Sequence, residues 1–221
     1  GWPRKEIRAA RLRECVDVIR ALLAGQEVSH DGFVTVDRAR LWTRPERPPA
    51  LLGAAVSVAT ARWCAGWADG LITVNAPVAH LREMVDAYRD AGGRGRLCLQ
   101  VHLSWAPTRE EAERLAYDQW RSNAFAPPVC WDLELTDHFD EASQDLPLER
   151  VAGVVNISPD LDRHVQWLGE YADLGFDEIY LHHVGQRLDD FVDAFGETVL
   201  PQLRGGSHVP GVAASRPGRG G

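Results

Sequence analysis

The sequence predicts an α/β fold of parallel strands that amounts to half of a (β/α)8 TIM barrel. Short apolar runs near 50–56, 70–74, 96–104 and 177–182 alternate with stretches of helical period. The connections are short, which implies parallel strands and right-handed crossovers. The run 96–104 sorts its side chains by face, with Leu97, Leu99, Val101 and Leu103 on one side and Cys98, Gln100, His102 and Ser104 on the other. A doubly wound sheet has helices on both faces and wants both apolar. A polar inner face near the end of a strand suits the mouth of a barrel. Four strand–helix units fall short of the eight in a full barrel. A complete small doubly wound sheet is the alternative that 221 residues permit, but neither G-x-G-x-x-G nor G-x-x-x-x-G-K-[ST] occurs in the chain.

The elements follow in order. Residues 4–24 predict a helix, because Ile7, Leu12, Cys15, Val16, Ile19, Leu22 and Leu23 recur at three- and four-residue steps, with Pro3 before them and Gly25 after. Val28 and the Phe33, Val34 and Val36 group flank His30-Asp31-Gly32, which predicts a β-hairpin inserted ahead of the first barrel strand. Residues 43–49 hold three prolines and make a rigid connection. The strand at 50–56 leads to a helix at 58–67, the strand at 70–74 to a helix at 78–90 closed by Gly92-Gly93, and the strand at 96–104 to a helix at 109–123. Thr108 and Glu111 give that last helix a capping box. Residues 124–147 look irregular, and 148–155 form a short helix or strand. A helix from Ser158 and Asp160 to Leu174, a strand at 177–182 and a helix at 188–203 complete the pattern. The domain is therefore expected at 1–204. From Gly205 to Gly221 the chain is rich in Gly, Pro and Ser without apolar period, and disorder is expected.

The bulk numbers narrow the function. A net charge of −8 argues against nucleic-acid or anionic-membrane binding. No apolar run approaches the roughly 20 residues of a membrane span. Cys15, Cys64, Cys98 and Cys130 are scattered without a C-x-x-C pair, which reads as free thiols of a cytoplasmic protein. Residue 1 is Gly and the single methionine is Met84, so the chain is expected to lack its own start.

The chemistry centres on two strand ends. His102 and His182 stand near the C-terminal ends of their strands, on faces they share with Gln100 and with Tyr180. Each also reads as a hydrogen-bonded structural histidine. A metal site is not expected, because zinc wants three or four ligands and neither H-x-x-x-H nor H-x-H occurs; His182 and His183 are adjacent on a strand and point to opposite faces. The nucleophile elbow G-x-S-x-G is missing. The tryptophans, Trp120 among them, read as core or loop anchors. Glu110-Glu111 and Asp189-Asp190 read as solvated first-turn charges.

The run LLGAAVSVATARWCAGWADGLIT at 51–73 resembles the strand–turn–helix–strand of the luciferase-like monooxygenase superfamily. The closest likeness is to the subgroup of deazaflavin-dependent glucose-6-phosphate dehydrogenases. WPRKEIRAARLRECVDVIRALLAG resembles the helix after the family's fourth strand, GFVTVDRARLWTRPERPPAL its hairpin insertion, and EIYLHHVGQRLDDFVDAFGETVLPQL its last strand and helix. The resemblance implies the C-terminal half of a barrel, with the family's catalytic histidine and glutamate upstream of residue 1. It also implies FMN or coenzyme F-420 as cofactor, a small-molecule substrate and a homodimer of the full-length protein. The family's cofactor turn falls on Ala55, Val56, Ser57 and Val58, where Val56 and Val58 replace the small residues that let a backbone approach a cofactor closely. Ser57 offers N–H and hydroxyl donors. Val74, Gln100, His102 and His182 would line the substrate pocket. The stretches that hold substrate-phosphate cations in the subgroup, here 74–77, 130–137 and 152–154, carry no lysine or arginine, so a sugar phosphate is not expected. Two other readings stand beside this one: a truncated, non-catalytic half barrel, and a cofactor-free barrel lyase or isomerase that acts through His102 and His182.

Overall fold

The computed structural model describes residues 3–126 and 129–205. Helix α1 (Lys5–Leu23) leads into the hairpin β1 (Val28–Asp31) and β2 (Thr35–Ala39). Then come β3 (Leu52–Ala54), α2 (Val58–Cys64), β4 (Gly70–Val74), α3 (Val78–Asp90), β5 (Arg96–Ser104) and α4 (Arg109–Trp120), which ends in a 3₁₀ turn at Arg121–Asn123. Three short helices, α5 (Val129–Asp132), α6 (Thr136–Ser143) and α7 (Leu148–Ala152), precede the two-residue strand β6 (Asn156–Ile157). Helix α8 (Leu161–Ala172), strand β7 (Glu178–His183), α9 (Asp189–Ala194), a π turn at Phe195–Val199 and α10 (Leu200–Gly205) finish the described chain. Most of the tail expected to be disordered, 206–221, lies outside the described residues.

Strands β3 to β7 form one parallel sheet with β5 at its centre. Strand β4 pairs with residues 96–100 of β5 and β7 with residues 98–103, while β6 pairs only with Leu103 and Ser104. Alternate carbonyls of a strand point to opposite edges. Leu103 O accepts from Val184 N, next to β7, and Ser104 O accepts from Ser158 N, next to β6. Gln100 O accepts from Asn75 N, on the β4 edge. Ser104 and Gln100 have the same parity, so β6 takes over the β4 edge where β4 ends.

Parallel neighbours in register share a face. Leu71, Leu97, Leu99, Val101 and Leu103 face the helices and are buried, against Leu81, Met84 and Tyr88 of α3 and Leu168 and Tyr171 of α8. Each fully buried aliphatic side chain contributes about 1.5–3 kcal/mol. Ile72, Val74, Cys98, Gln100, His102, Tyr180 and His182 share the other face. Gly92, at φ +93°, ends α3 in a Schellman turn: Gly92 N donates to Arg89 O, and Gly93 N to Tyr88 O. At Gly95 a Cβ would lie 1.8 Å from the carbonyl oxygen of Asp69, so only glycine lets the chain pass into β5. The hairpin is tied to α1, because Glu14 Oε2 takes His30 Nε2 at 2.8 Å and accepts from Val34 N at 3.2 Å.

Several boundaries differ from the sequence reading. Strand β3 is 52–54 rather than 50–56, since only those residues pair with β4. Helix α2 stops at Cys64 rather than 67, and α4 at Trp120 with its last turn tightened. Residues expected to be irregular contain α5 and α6. The expected last helix is broken in the middle by the π turn around Gly196.

Candidate functional site

The site lies on the face of the sheet turned away from the helices, at the C-terminal ends of its strands. Asn75 stands at the edge of this site. It follows β4 directly, and its Oδ1 accepts the His102 backbone N–H at 3.0 Å, replacing the strand partner that β4 no longer supplies. The Tyr171 hydroxyl accepts from Asn156 Nδ2 at 3.3 Å. Burial holds the Tyr171 phenol above its ordinary value.

Strands β5 and β7 set His102 opposite His182 in register, with ring centroids 5.3 Å apart. Gln100, two residues earlier on β5, places its Nε2 at 3.3 Å from His102 Nε2 and at 3.3 Å from His182 Nδ1. Trp120, at the end of α4, packs its ring 4.8 Å from that of His102 and 4.9 Å from that of His182. Burial first, and the neighbouring His182 second, push His102 down to about 4. This ring is neutral across the physiological range.

The structure thus brings together Gln100, His102 and His182 as expected, with Val74 beside Gln100 in the strand register. Val74 and Ile72 give the face a half-buried apolar floor. The turn 55–58 ends β3, with β4 between it and the histidines, a separation of roughly 10 Å at about 4.8 Å per strand. Ala55 is buried, and its N–H donates to Ile72 O. Val56 is 71% exposed. The Ser57 hydroxyl caps its own helix: its oxygen accepts from Thr60 N at 3.4 Å and pairs with Thr60 Oγ1 at 2.9 Å. Asn75 and Trp120 are the residues that the sequence reading missed. The position of Asn75, first after a strand end, was a usable signal. Trp120 carried none, because only the crossover of α4 swings it over the strands.

Lower on the same face the polar groups satisfy one another. Arg96 meets Glu178 at 2.5 Å, and Glu178 also takes the Tyr180 hydroxyl and, at 3.8 Å, the Cys98 thiol. Burial pushes that thiol up, with Glu178 adding to the effect. His183 points the opposite way from His182, is buried and stacks on Phe191 at 4.7 Å. Among the described residues no group of three or more His, Cys, Asp or Glu is placed to hold a metal. The four cysteines are free, with Cys64 and Cys98 buried. Two clefts lie away from His102 and His182. One of about 420 Å³ sits between α1 and β3 around Arg20 and Asp69, and one of about 280 Å³ between α4 and α9 in front of His183.

A parallel sheet with helices on one face and polar side chains at the C-terminal ends of its strands is the layering of a (β/α)-barrel wall. Residues 4–178 match the luciferase-like monooxygenase family, and the chain belongs to it. It is 32% identical over 216 residues to the F-420-dependent glucose-6-phosphate dehydrogenase of Nakamurella multipartita and 30% identical over 215 residues to that of Microbacterium testaceum. Each match covers 92% of this chain and 63% of the relative, so the chain spans less than two thirds of their length. Two solved structures share the fold. An F-420-dependent secondary alcohol dehydrogenase in complex with an F-420–acetone adduct has TM-score 0.78 and 19% identity, over 92% of this chain and 64% of that one. The EDTA monooxygenase of Chelativorans sp. BNC1 has TM-score 0.63 and 16% identity, over 95% and 62%.

Proposed function

We propose that this chain supplies the C-terminal half of the barrel of a deazaflavin- or flavin-dependent oxidoreductase, acting on a small organic substrate that is not a sugar phosphate. The observation that carries this reading is the Gln100–His102–His182 cluster beside the apolar floor of Ile72 and Val74. An apolar floor with neutral hydrogen-bonding groups at its rim fits the tricyclic ring of coenzyme F-420 or FMN. When bound, such a ring supplies hydride transfer. Ala55–Val58 would contact the cofactor through backbone and the exposed Val56, since the Ser57 hydroxyl is engaged in its own cap. Gln100, His102 and His182 would orient the substrate, and Trp120 would exclude water from the two rings. The proton-transferring histidine and glutamate of the family would come from the part of the barrel that precedes residue 1. The homodimer and the cytoplasmic location belong to the same reading.

The curated relatives named above carry a sugar phosphate in their names, but this site is lined by Val74, Asn75, Gln100, His102, Trp120 and His182, none of them lysine or arginine. A dianion in such surroundings would be poorly compensated. A cofactor-free lyase or isomerase is disfavoured, because a histidine pushed down to about 4 is a weak base at neutral pH. The test is spectroscopic titration of the full-length protein with coenzyme F-420 and with FMN. Saturable binding of one of them is expected. A protein that binds neither overturns the proposal, and turnover of glucose-6-phosphate overturns the substrate class.

A further inference from the structure

One atom of Gln100 serves two imidazoles through different ring nitrogens. Its Nε2 stands 3.3 Å from Nε2 of His102 and 3.3 Å from Nδ1 of His182. An amide NH₂ has two hydrogens and no acceptor, so each ring must offer a bare nitrogen at these positions. A neutral imidazole carries its one proton on the other nitrogen. His102 is therefore protonated at Nδ1 and His182 at Nε2. We propose that Gln100 is a positioning residue that holds His102 and His182 in opposite tautomers, arming the site with two N–H donors for the oxygen of a carbonyl substrate.

Several observations support the assignment. The contact is built into the strand register: Gln100 and His102 lie two residues apart on one face of β5, and His182 is the direct partner of His102 on β7. Trp120 packs on both rings and restricts their rotation. Asn75 fixes the backbone of His102, so the ring starts from an anchored position. Among the described residues no hydrogen bond engages Nδ1 of His102 or Nε2 of His182, so neither is spent on a protein partner. Burial keeps His102 neutral, as an acceptor of the Gln100 N–H requires.

The tautomers decide the chemistry. A pocket presenting two N–H donors binds oxygen lone pairs and favours charge that builds on them. A carbonyl oxygen gains negative charge as its carbon accepts a hydride, so neutral aldehydes and ketones, or the corresponding alcohols in the reverse direction, are the matching class. Cationic amines are not. This last step rests on the proposed oxidoreductase reading for the identity of the occupant; the tautomer assignment stands apart from it.

The test is nitrogen-15 and proton NMR of the full-length protein at about pH 8.5, two units above the ordinary imidazole value, with signals assigned from His102→Asn and His182→Asn variants. The expected result is Nδ1–H for His102 and Nε2–H for His182. Gln100→Glu presents only acceptors, so both tautomers should reverse. Gln100→Leu should release His102 to the commoner Nε2–H form, and a thermal melt establishes that each variant is folded. The same tautomer on both rings overturns the clamp, as does Gln100→Glu leaving both unchanged. The reversed pair in the unmutated protein overturns the donor assignment. Acetone, as the carbonyl probe, should shift both N–H protons in the unmutated protein and neither in Gln100→Glu; no shift overturns the ligand class. None of these readouts needs a bound cofactor, so failure of the F-420 and FMN titrations would be seen separately.

Discussion

Asn75 and His102 are joined side chain to main chain: Oδ1 of the first accepts the N–H of the second at 3.0 Å, one residue beyond the end of β4. The strand edge of β5 would otherwise carry a half-buried donor with no partner between β4 and β6. Asn75→Ala removes the acceptor and leaves the amide unpaired, at a cost of about 1–3 kcal/mol. Urea denaturation of the variant measures it. A loss under about 0.5 kcal/mol, the range of an ordinary surface substitution, would mean that water replaces Asn75 at no cost.

The pair His102 and Trp120 predicts a pH dependence. The folded-state value of His102 is about 4, below the ordinary 6.5. At pH above 6.5 the ring is neutral in folded and unfolded chain alike, and the contribution to stability is fully present. As pH falls from 6.5 towards 4 the unfolded chain takes up a proton that the folded chain refuses, and stability declines. Below 4 both states are protonated and the loss levels off. Burial also lowers His164 and His183, so His102→Gln should remove part of this acid sensitivity and not all of it. Trp120→Ala uncovers the ring, and the His102 titration midpoint should rise from about 4 towards 6.5 in proton NMR. An unchanged midpoint would show that Trp120 does not shield it.

Ser57 gives a contrasting expectation. Its hydroxyl holds the first turn of α2 through Thr60. Ser57→Ala should cost about 1 kcal/mol of stability, the usual value of an N-cap. Affinity for the cofactor, measured by the same titration that tests the proposed function, should change by less than about threefold, since the Ser57 oxygen already accepts from the Thr60 N–H within its own helix. A tenfold loss of affinity with unaltered stability would reverse that reading.

How much of this could be read from the residues alone differs by element. Strand β5 was legible to its last residue, because nine residues of strict alternation admit one interpretation, and α3 was read at 78–90 from the segment that Gly92-Gly93 closes. The convergence of Gln100, His102 and His182 followed from strand parity and the shared C-terminal ends. Strand β6 was illegible: Asn156-Ile157 is too short to show a period, and its pairing depends on where β4 happens to stop. Helices α5 and α6 are four and eight residues long, too short for a stripe to emerge among Asp, Glu and Pro. The capping role of Ser57 went unread, although Thr60 stands three residues on and donates to its oxygen. Trp120 needed the path of α4 in space.

The relay from β4 to β6 along one edge of β5 has a consequence for how the site is assembled. The segment 105–155 leaves the sheet at the tip of β5 and returns to that same tip, where β6 pairs with Leu103 and Ser104, and it is anchored besides by Ser104 Oγ donating to Ala112 O and by Ala116 packed with Val184. Away from those anchors its residues take no part in the register of β4, β5 and β7, on which the two imidazoles depend. Trp120 belongs to this stretch and the histidines do not: the sheet fixes the polar groups, while the indole packed on them arrives on a separate helical excursion of the chain.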